Sequence, residues 1–346
     1  MFKLNVDDTW VKGSLHCHST ASDGILKPKE VVDYYLSRGY GLIAITDHGK
    51  ITTEHIINQK GILLSSIEIS KGTSKLRDNY HIVAIGVDDP ALNDLKSPLE
   101  VIDEINASGG VAIIAHPYWS ELVYEDLINL SGYIGIEVYN TGCDVEVTKG
   151  YSTVHWDDLI SSGVKSWGFA VDDAHRYFVP PIDADGGWIW VKVTDKSPEA
   201  VIESLKAGYF YSSMGPKINR LEMSESLIHV ELTPVTRVNI VSRNGRGLSI
   251  EKRCLLRLIK MWKSPSRRCH LERMFDSIEV NEKNGLIRAF ITGKKLKAET
   301  AFDRKGLKQL HIEAKFDGDY VRIEAIDKNG RTAWSNPLLL GKIHAQ

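Results

Sequence analysis

Two histidines separated by one residue begin the part of the chain that could carry chemistry. In His16-Cys17-His18, alternate side chains of an extended strand share a face, so both imidazoles would project one way and Cys17 the other. Two imidazoles on one face suit a single metal ion, whereas the thiol on the opposite face suits a small core residue. The alternative is that two histidines happen to share a polar strand face, and the motif alone does not decide between the two.

Further histidines and carboxylates fall at the ends of other predicted strands or in the loops that follow them. They are Asp23, Asp47, His48, Glu68, His116, Asp173 and His175. In a barrel of βα units, the C-terminal ends of the strands form one face, so separate segments would bring these groups to one place. His81 begins its strand, and this placement does not account for it.

The chemistry of this set is that of a metal-dependent hydrolase. Imidazoles and carboxylates without a thiolate suit divalent ions such as zinc, manganese or iron. Six histidines and three carboxylates exceed one tetrahedral site by a factor of about two, so we expect two or three clustered ions. Clustered ions activate a bridging water and neutralise charge during phosphoester hydrolysis.

The elements that must position these groups follow an α/β pattern up to residue 215. Segments such as KPKEVVDYYLSRGY have a proline in the first helical turn and a glycine after the last, as helices do. Alternating helices and strands favour a parallel barrel. The predicted strands span residues 14–18, 41–47, 61–69, 81–87, 111–116, 135–140, 166–172 and 187–193.

Residues 216–346 change to shorter alternating runs separated by Asn-Gly turns, which predicts a small β domain resembling a sandwich. Within it, the basic segment 243–273 carries ten basic residues and two glutamates. Together with Trp262, this segment could contact a nucleic-acid backbone. It is more typical of a solvated amphipathic element, and nucleic-acid binding stays open here as the less favoured interpretation.

Composition limits the remaining possibilities. The 346 residues are 42% hydrophobic and 25% charged with a net charge of −2, which is ordinary for a globular protein and gives no general reason to expect a membrane partner. Four scattered cysteines without a CxxC pair argue against a disulfide framework and fit a reducing cytoplasm. The first residues do not resemble a secretion signal, and no run of 18 apolar residues occurs.

Several motifs together resemble the polymerase-and-histidinol-phosphatase (PHP) superfamily of metal-dependent phosphoesterases. They are HCHSTASDG, ITDHG, IEIS, AHP and DDAH, with the strand that begins at His81, over about residues 11–215. The resemblance implies a distorted (β/α)7 barrel. Three further segments, HWDDLISSG, AGYFYSSMGP and YVRIEAIDKNGRTAWSNP, resemble the CehA/McbA branch of this superfamily and extend the similarity into the β domain.

The resemblance also implies three metal sites. The first would be held by His16, His18, Glu68 and Asp173, the second by Glu68, His81 and His116, and the third by Asp23, His48 and His175. Asp172 and Asp47 are expected to orient the neighbouring ligands, although Asp47 is equally well explained as a turn cap. Arg176 is expected to bind the substrate phosphate, with a surface salt bridge as its alternative role, and Lys50 is a weaker candidate.

The function predicted from the sequence is a metal-dependent phosphoesterase. A hydroxide bridging ions of a di- or trinuclear site would attack a phosphomonoester or phosphodiester, with Glu68, Asp173 and Arg176 as the catalytic residues. The expected partner is a small phosphorylated substrate, either a nucleotide or short RNA or DNA, and no protein or membrane partner is predicted. Two alternatives remain: a hydrolase of a non-phosphate ester or carbamate that uses the same centre, and an inert metal-stabilised binding module.

Overall fold

The computed structural model describes residues 2–4, 9–52, 60–316 and 318–340, and the chain divides into two compact units. The first contains Thr9–Met214. The second contains the described residues from Gly215 to 340 together with strand β1 (Phe2–Leu4), which pairs antiparallel with β12 (Ile218–Met223). The sequence prediction had placed the whole N-terminus in the first unit. No helix in the described ranges is long and apolar enough to cross a membrane.

The first unit alternates strands and helices. Its strands are β2 (Trp10–Ser14), β3 (Leu42–Ala44), β4 (Ile62–Leu64), β5 (Ser66–Lys71), β6 (Tyr80–Ile85), β7 (Val111–Ile114), β8 (Gly135–Asn140), β9 (Trp167–Val171), β10 (Trp188–Lys192) and β11 (Phe210–Ser213). Its helices are α1 (Pro28–Ser37), α2 (Pro98–Ala107), α3 (Tyr124–Ile128), α4 (Thr141–Val147), α5 (Thr153–Ser161) and α6 (Pro198–Ala207). As predicted, prolines begin α1, α2 and α6.

These strands form two mixed sheets, in the orders β11-β10-β2-β3-β4 and β5-β6-β7-β8-β9. The triplets β2-β3-β4 and β7-β8-β9 are parallel, but β10 is antiparallel to β2 and β11, and β6 is antiparallel to β5 and β7. The α/β character agrees with the prediction, whereas these antiparallel pairs depart from the parallel strands expected of the barrel. The eight residues between β5 and β6 are too few for the crossover that a parallel connection needs.

The core of the first unit combines apolar side chains from both sheets with those of α6. One predicted strand, 61–69, is divided in the structure into β4 and β5, which belong to different sheets. The break lies at Ser65, whose hydroxyl donates to the carbonyl of Val87. Because the strand is divided here, β4 belongs to the first sheet, whereas β5, which contains Glu68, belongs to the second.

The second unit is antiparallel throughout its described strands, which agrees with a β domain. They are β1, β12, β13 (Leu227–Val235), β14 (Arg237–Val241), β15 (Leu248–Glu251), β16 (Phe275–Lys283), β17 (Leu286–Gly293), β18 (Leu296–Phe302), β19 (Leu307–Ala314), β20 (Tyr320–Ile326), β21 (Thr332–Ser335) and β22 (Leu338–Leu339). The basic segment contains two helices, α7 (Lys252–Trp262) and α8 (Pro265–Leu271).

Candidate metal centre

The two histidines of the HxH motif lie just beyond β2, not within a strand as predicted. Their backbone is nevertheless extended, because the His16 carbonyl accepts from the amide of Asp173 at 2.9 Å and the His18 amide donates to the carbonyl of Ala174 at 2.9 Å. Cys17 forms a parallel bridge with Ala174 and is fully buried in a core cluster. The alternation predicted from the sequence is therefore present, with the thiol on the core side.

Four donor atoms converge in the first cluster, which is formed by His16, His18, Glu68 and Asp173. The two Nε2 atoms are 3.2 Å apart. Each lies 3.3 Å from Glu68 Oε2, and Asp173 Oδ1 lies 3.2 Å from His16 Nε2 and 3.1 Å from His18 Nε2. Ligands at the usual zinc–nitrogen distance sit about 3.3 Å apart at the corners of a tetrahedron. These separations match one first coordination shell.

Glu68 links this cluster to a second one. Its buried Oε2 lies 3.1–3.3 Å from ring nitrogens of His16, His18 and His48 but accepts no well-formed hydrogen bond, an arrangement that a cation among these atoms would stabilise. Its other oxygen, Oε1, lies 2.8 Å from His81 Nδ1 and 3.4 Å from His116 Nε2. Glu68 can therefore bridge two ions. His81, which strand position did not explain, lies opposite Ser70 in the antiparallel pair of β5 and β6, and so diagonal to Glu68 on the same face.

The third cluster is more open. Asp23 lies 3.6 Å from His48 Nε2 and 3.5 Å from His175 Nε2, and 3.7 Å from Nδ1 of His18. The Asp23 side chain is 55% exposed, in contrast to the buried Glu68. The structure thus brings all nine predicted ligands together in three groups, of which the third is the nearest to solvent.

Glu137, which the sequence analysis missed, supports this centre from β8. Its Oε1 accepts from Nδ1 of His16 at 2.6 Å, and its Oε2 accepts from the backbone amide of His116 at 2.8 Å. Since an ionised carboxylate only accepts, His16 must carry its proton on Nδ1, which leaves the Nε2 lone pair for a metal. A single buried glutamate in the otherwise apolar strand GIEVYN was the available signal.

Asp47 holds a loop. Its carboxylate accepts from the Ser19 amide and hydroxyl, from the Ser22 hydroxyl and from the Thr52 hydroxyl at 2.6–2.7 Å. These bonds order the segment that carries Asp23. The structure therefore favours a turn-capping role for Asp47 over a role in orienting His48.

Asp172 likewise organises backbone. It accepts from the amides of residues 185, 186 and 187 at 2.8–2.9 Å, from the Tyr35 hydroxyl at 2.9 Å and from the Thr141 hydroxyl at 3.0 Å. Burial raises the pKa of Asp172 to about 6, although these donors oppose the shift. Its carboxylate anchors the loop before β10, and the expected role of orienting Asp173 is taken by Asn140, which donates to Asp173 Oδ2 at 3.1 Å.

A cavity of about 410 Å³ adjoins the three clusters. Arg176 lines it and forms a 2.8 Å ion pair with Glu146, both side chains being about two-fifths exposed. Trp119, which the sequence analysis did not single out, also lines it and packs edge-on against His81 and His116. Lys50 instead donates to the carbonyl of Ala21.

The clustered charges perturb one another strongly. Burial alone would lower the pKa of His18, but the Asp173 and Glu68 carboxylates outweigh it and raise this pKa to about 9. The same carboxylates, with Glu137, raise the pKa of His16 well above its usual value despite burial. Burial would conversely raise the pKa of Glu68, and the neighbouring imidazoles hold it well below its usual range. With its pKa at about 9, His18 holds a proton at neutral pH on a ring whose lone pair a metal would require.

Metal binding is accordingly expected to release protons. A proton on His18 must leave before the nitrogen binds, so affinity for Mn²⁺ should rise by about tenfold per pH unit below pH 9 for each proton displaced. Calorimetry in two buffers of different ionisation enthalpy measures the number released. His155→Gln, at a histidine that contacts the carbonyl of Leu122, should release the same number. Equal heats in both buffers would contradict the expectation.

Curated proteins similar in sequence include two whose names state an activity. The chain is 39% identical over 82 residues to the 5'-3' exoribonuclease of Haemophilus influenzae, covering 22% of this chain and 29% of that protein. It is 40% identical over 95 residues to the 3',5'-nucleoside bisphosphate phosphatase of Chromobacterium violaceum, covering 26% of this chain and 32% of that protein. The chain thus spans about a third or less of the length of these relatives. No known family profile matches.

One solved structure is similar along almost the whole chain. It is a two-domain protein of Bacteroides vulgatus that contains a predicted PHP-like metal-dependent phosphoesterase, with 14% identity, a TM-score of 0.49 and 97% of each chain covered. The sequence relatives share local identity of about two-fifths with this chain. The resemblance of this chain to the PHP superfamily stays a prediction after these comparisons, as does the CehA/McbA branch.

Proposed function

We propose that this chain hydrolyses phosphomonoesters or phosphodiesters of nucleotides or short oligonucleotides. The observation that carries the proposal is the convergence of three donor clusters, linked through Glu68 and His18, beside one cavity. The two sequence relatives, an exoribonuclease and a nucleoside bisphosphate phosphatase, support the substrate class.

The donor set fits two or three divalent ions such as zinc, manganese or iron. The fit rests on the buried Oε2 of Glu68, which accepts no well-formed hydrogen bond, and on the tetrahedral separations in the first cluster. When bound, such ions polarise a phosphoryl oxygen and lower the pKa of a water molecule. The residues that would hold them are His16, His18, Asp23, His48, Glu68, His81, His116, Asp173 and His175.

Protein groups at the cavity would bind the rest of the substrate. Arg176 offers a planar guanidinium suited to two phosphate oxygens. Its present pairing with Glu146 is exposed and therefore contributes little, so a phosphate can compete for it. Trp119 offers an aromatic surface for a nucleobase, which distinguishes nucleotides from smaller phosphoesters.

Trp119→Ala is expected to raise the KM for an adenosine 3',5'-bisphosphate by about tenfold, since stacking of a base on an aromatic ring contributes about 1–3 kcal/mol. The KM for p-nitrophenyl phosphate, whose small ring does not need this surface, should change less than twofold. Tyr118→Ala removes the neighbouring exposed aromatic residue and serves as the matched control. An equal change in KM for both substrates would contradict the stacking role.

A substrate panel tests the function itself. Protein loaded with Mn²⁺ or Zn²⁺ should hydrolyse nucleoside bisphosphates or short RNA and leave p-nitrophenyl acetate and aryl carbamates unchanged. Turnover of the ester or carbamate alone would replace the phosphoesterase assignment with the other hydrolase class. Stoichiometric metal without turnover of any substrate would indicate an inert binding module.

We also propose a finer architecture for the two units. The mixed sheets and surrounding helices support a distorted (β/α)7 barrel for the first unit. Two antiparallel sheets support a sandwich-like second unit. Four cysteines without a disulfide support a cytoplasmic location. The C-terminal sequence similarity supports the CehA/McbA branch.

A further inference from the structure

The second unit contains an apolar cavity of about 720 Å³ that the metal centre does not use. Its floor is the face of β17 and β18 that presents Ile291, Leu296 and Ala298. Its opposite wall is α7, and β15 and the segment after α8 complete the lining. The residues of α7 that face it are Cys254, Leu255, Arg257, Leu258 and Met261. A cavity of this size with apolar walls has the properties of a small-molecule site.

Positive charge surrounds this apolar interior. Arg257, Arg273, Lys294 and Lys295 all contribute to its lining, and none of them forms an ion pair within the described part of the chain. Glu251 is the acidic residue of the lining, and it already pairs with Arg237 at 3.5 Å. The uncompensated charge of the rim is therefore complementary to an anion.

A polar group lies deeper on the floor. Thr300 is 1% exposed, lines the cavity, and its hydroxyl has no hydrogen-bond partner. A buried hydroxyl without a partner is unfavourable, so a ligand that supplies a partner gains affinity. Thr300 and Leu296 lie on the same face of β18, about 13 Å apart at the usual rise per residue. Lys294 and Lys295 immediately precede Leu296.

We propose that this cavity binds an amphiphilic anion, free in water, with an apolar chain and a second polar group. The carboxylate or phosphate head lies at the rim near Lys294, Lys295 and Arg273. The chain lies along Leu296 and Ala298 beneath α7. A hydroxyl or carbonyl of the ligand, about 13 Å from its head, forms a hydrogen bond with the Thr300 hydroxyl. An ω-hydroxylated medium-chain fatty acid has this chemistry.

A nucleic acid fits this surface less well. Base stacking requires an accessible aromatic face, but Trp262 is 9% exposed and carries the Arg268 guanidinium 4.5 Å from its ring centroid. The concave apolar interior would also remain unused by a phosphate backbone. Charge and apolar volume together favour one small amphiphile over a polyanion.

Calorimetry on the full chain with dodecanoate, 12-hydroxydodecanoate and dodecyltrimethylammonium, each below its micellar concentration, tests the proposal. Both anions should bind, the hydroxylated one more tightly, and the cation should not. Thr300→Val keeps the shape of the side chain but removes the hydroxyl. It should raise the Kd for 12-hydroxydodecanoate about fivefold and change the Kd for dodecanoate less than twofold. Lys295→Glu should raise the Kd for both anions about tenfold or more. Lys297→Glu, in β18 on the face opposite to Leu296 and Ala298 and outside the cavity lining, should change the binding of neither anion.

Four outcomes would overturn the proposal. They are absence of binding by either anion to the folded wild type, equal binding of the cationic amphiphile, equal effects of Lys295→Glu and Lys297→Glu, and equal effects of Thr300→Val on both anions. Cosedimentation with phosphatidylglycerol vesicles, or binding of a short RNA, without dodecanoate binding would likewise overturn it in favour of a membrane or nucleic-acid surface. Circular dichroism and thermal unfolding establish that each variant is folded.

Discussion

Glu68→Gln is expected to lower phosphoester turnover by more than about a hundredfold. Loss of a supporting partner of a metal ligand typically costs 10- to 100-fold, and the loss of a bridging ligand should exceed that. The amide retains the shape of Glu68 but removes the charge and one acceptor oxygen, while both carboxylate oxygens face imidazoles of different clusters. The variant should therefore lose metal from the first and second clusters together.

Metal content measured by plasma mass spectrometry, alongside turnover, checks this expectation. Wild type and variant should be compared after dialysis against the same free Mn²⁺ concentration. Glu203→Gln makes the same chemical change on the exposed face of α6 and should retain both metal and activity. Full metal content with full turnover in Glu68→Gln would remove Glu68 from the centre.

The sequence predicted which donor groups converge better than it predicted the elements that carry them. The nine groups could be proposed because metal ligands are restricted to a few residue types and follow strands at one end. The direction of β5 and β6 was mispredicted, since a buried strand has the same apolar pattern whether its neighbour is parallel or antiparallel. The short segment between Lys71 and Tyr80 did carry a signal, because it leaves no room for a crossover helix.

Supporting groups were harder to recognise than ligands. Asp183 accepts from the amides of residues 175, 176 and 177 at 2.7–2.8 Å and so fixes the loop of His175. Nothing in the segment PPIDADGG distinguishes it from an ordinary turn carboxylate. The apolar cavity of the second unit was equally hidden, because it depends on how α7 lies over the sheet rather than on any local motif.

Glu137→Gln is expected to weaken metal binding and turnover by 10- to 100-fold while every direct ligand remains. The wild-type carboxylate accepts from His16 on one oxygen and from the His116 amide and Asn140 on the other. A glutamine has one acceptor and one donor end, so it cannot serve both sides. With its NH₂ toward His16, that imidazole must move its proton to Nε2 and lose the lone pair that faces the cluster. With its NH₂ toward the other side, two buried donors lose their acceptor.

If the NH₂ of the new amide points away from His16, the substitution should also reduce the free energy of unfolding by about 1–3 kcal/mol, because the buried His116 amide and Asn140 lose their acceptor. Metal titration separates this variant from Glu68→Gln. A weakened but complete ligand set should regain most of its turnover at saturating Mn²⁺, whereas loss of the bridging carboxylate should not be rescued. Thermal unfolding at low and high Mn²⁺ gives the stability change independently of catalysis. Wild-type affinity in Glu137→Gln would show that His16 does not depend on this contact for its orientation, and failure of rescue would place Glu137 among the ligands themselves.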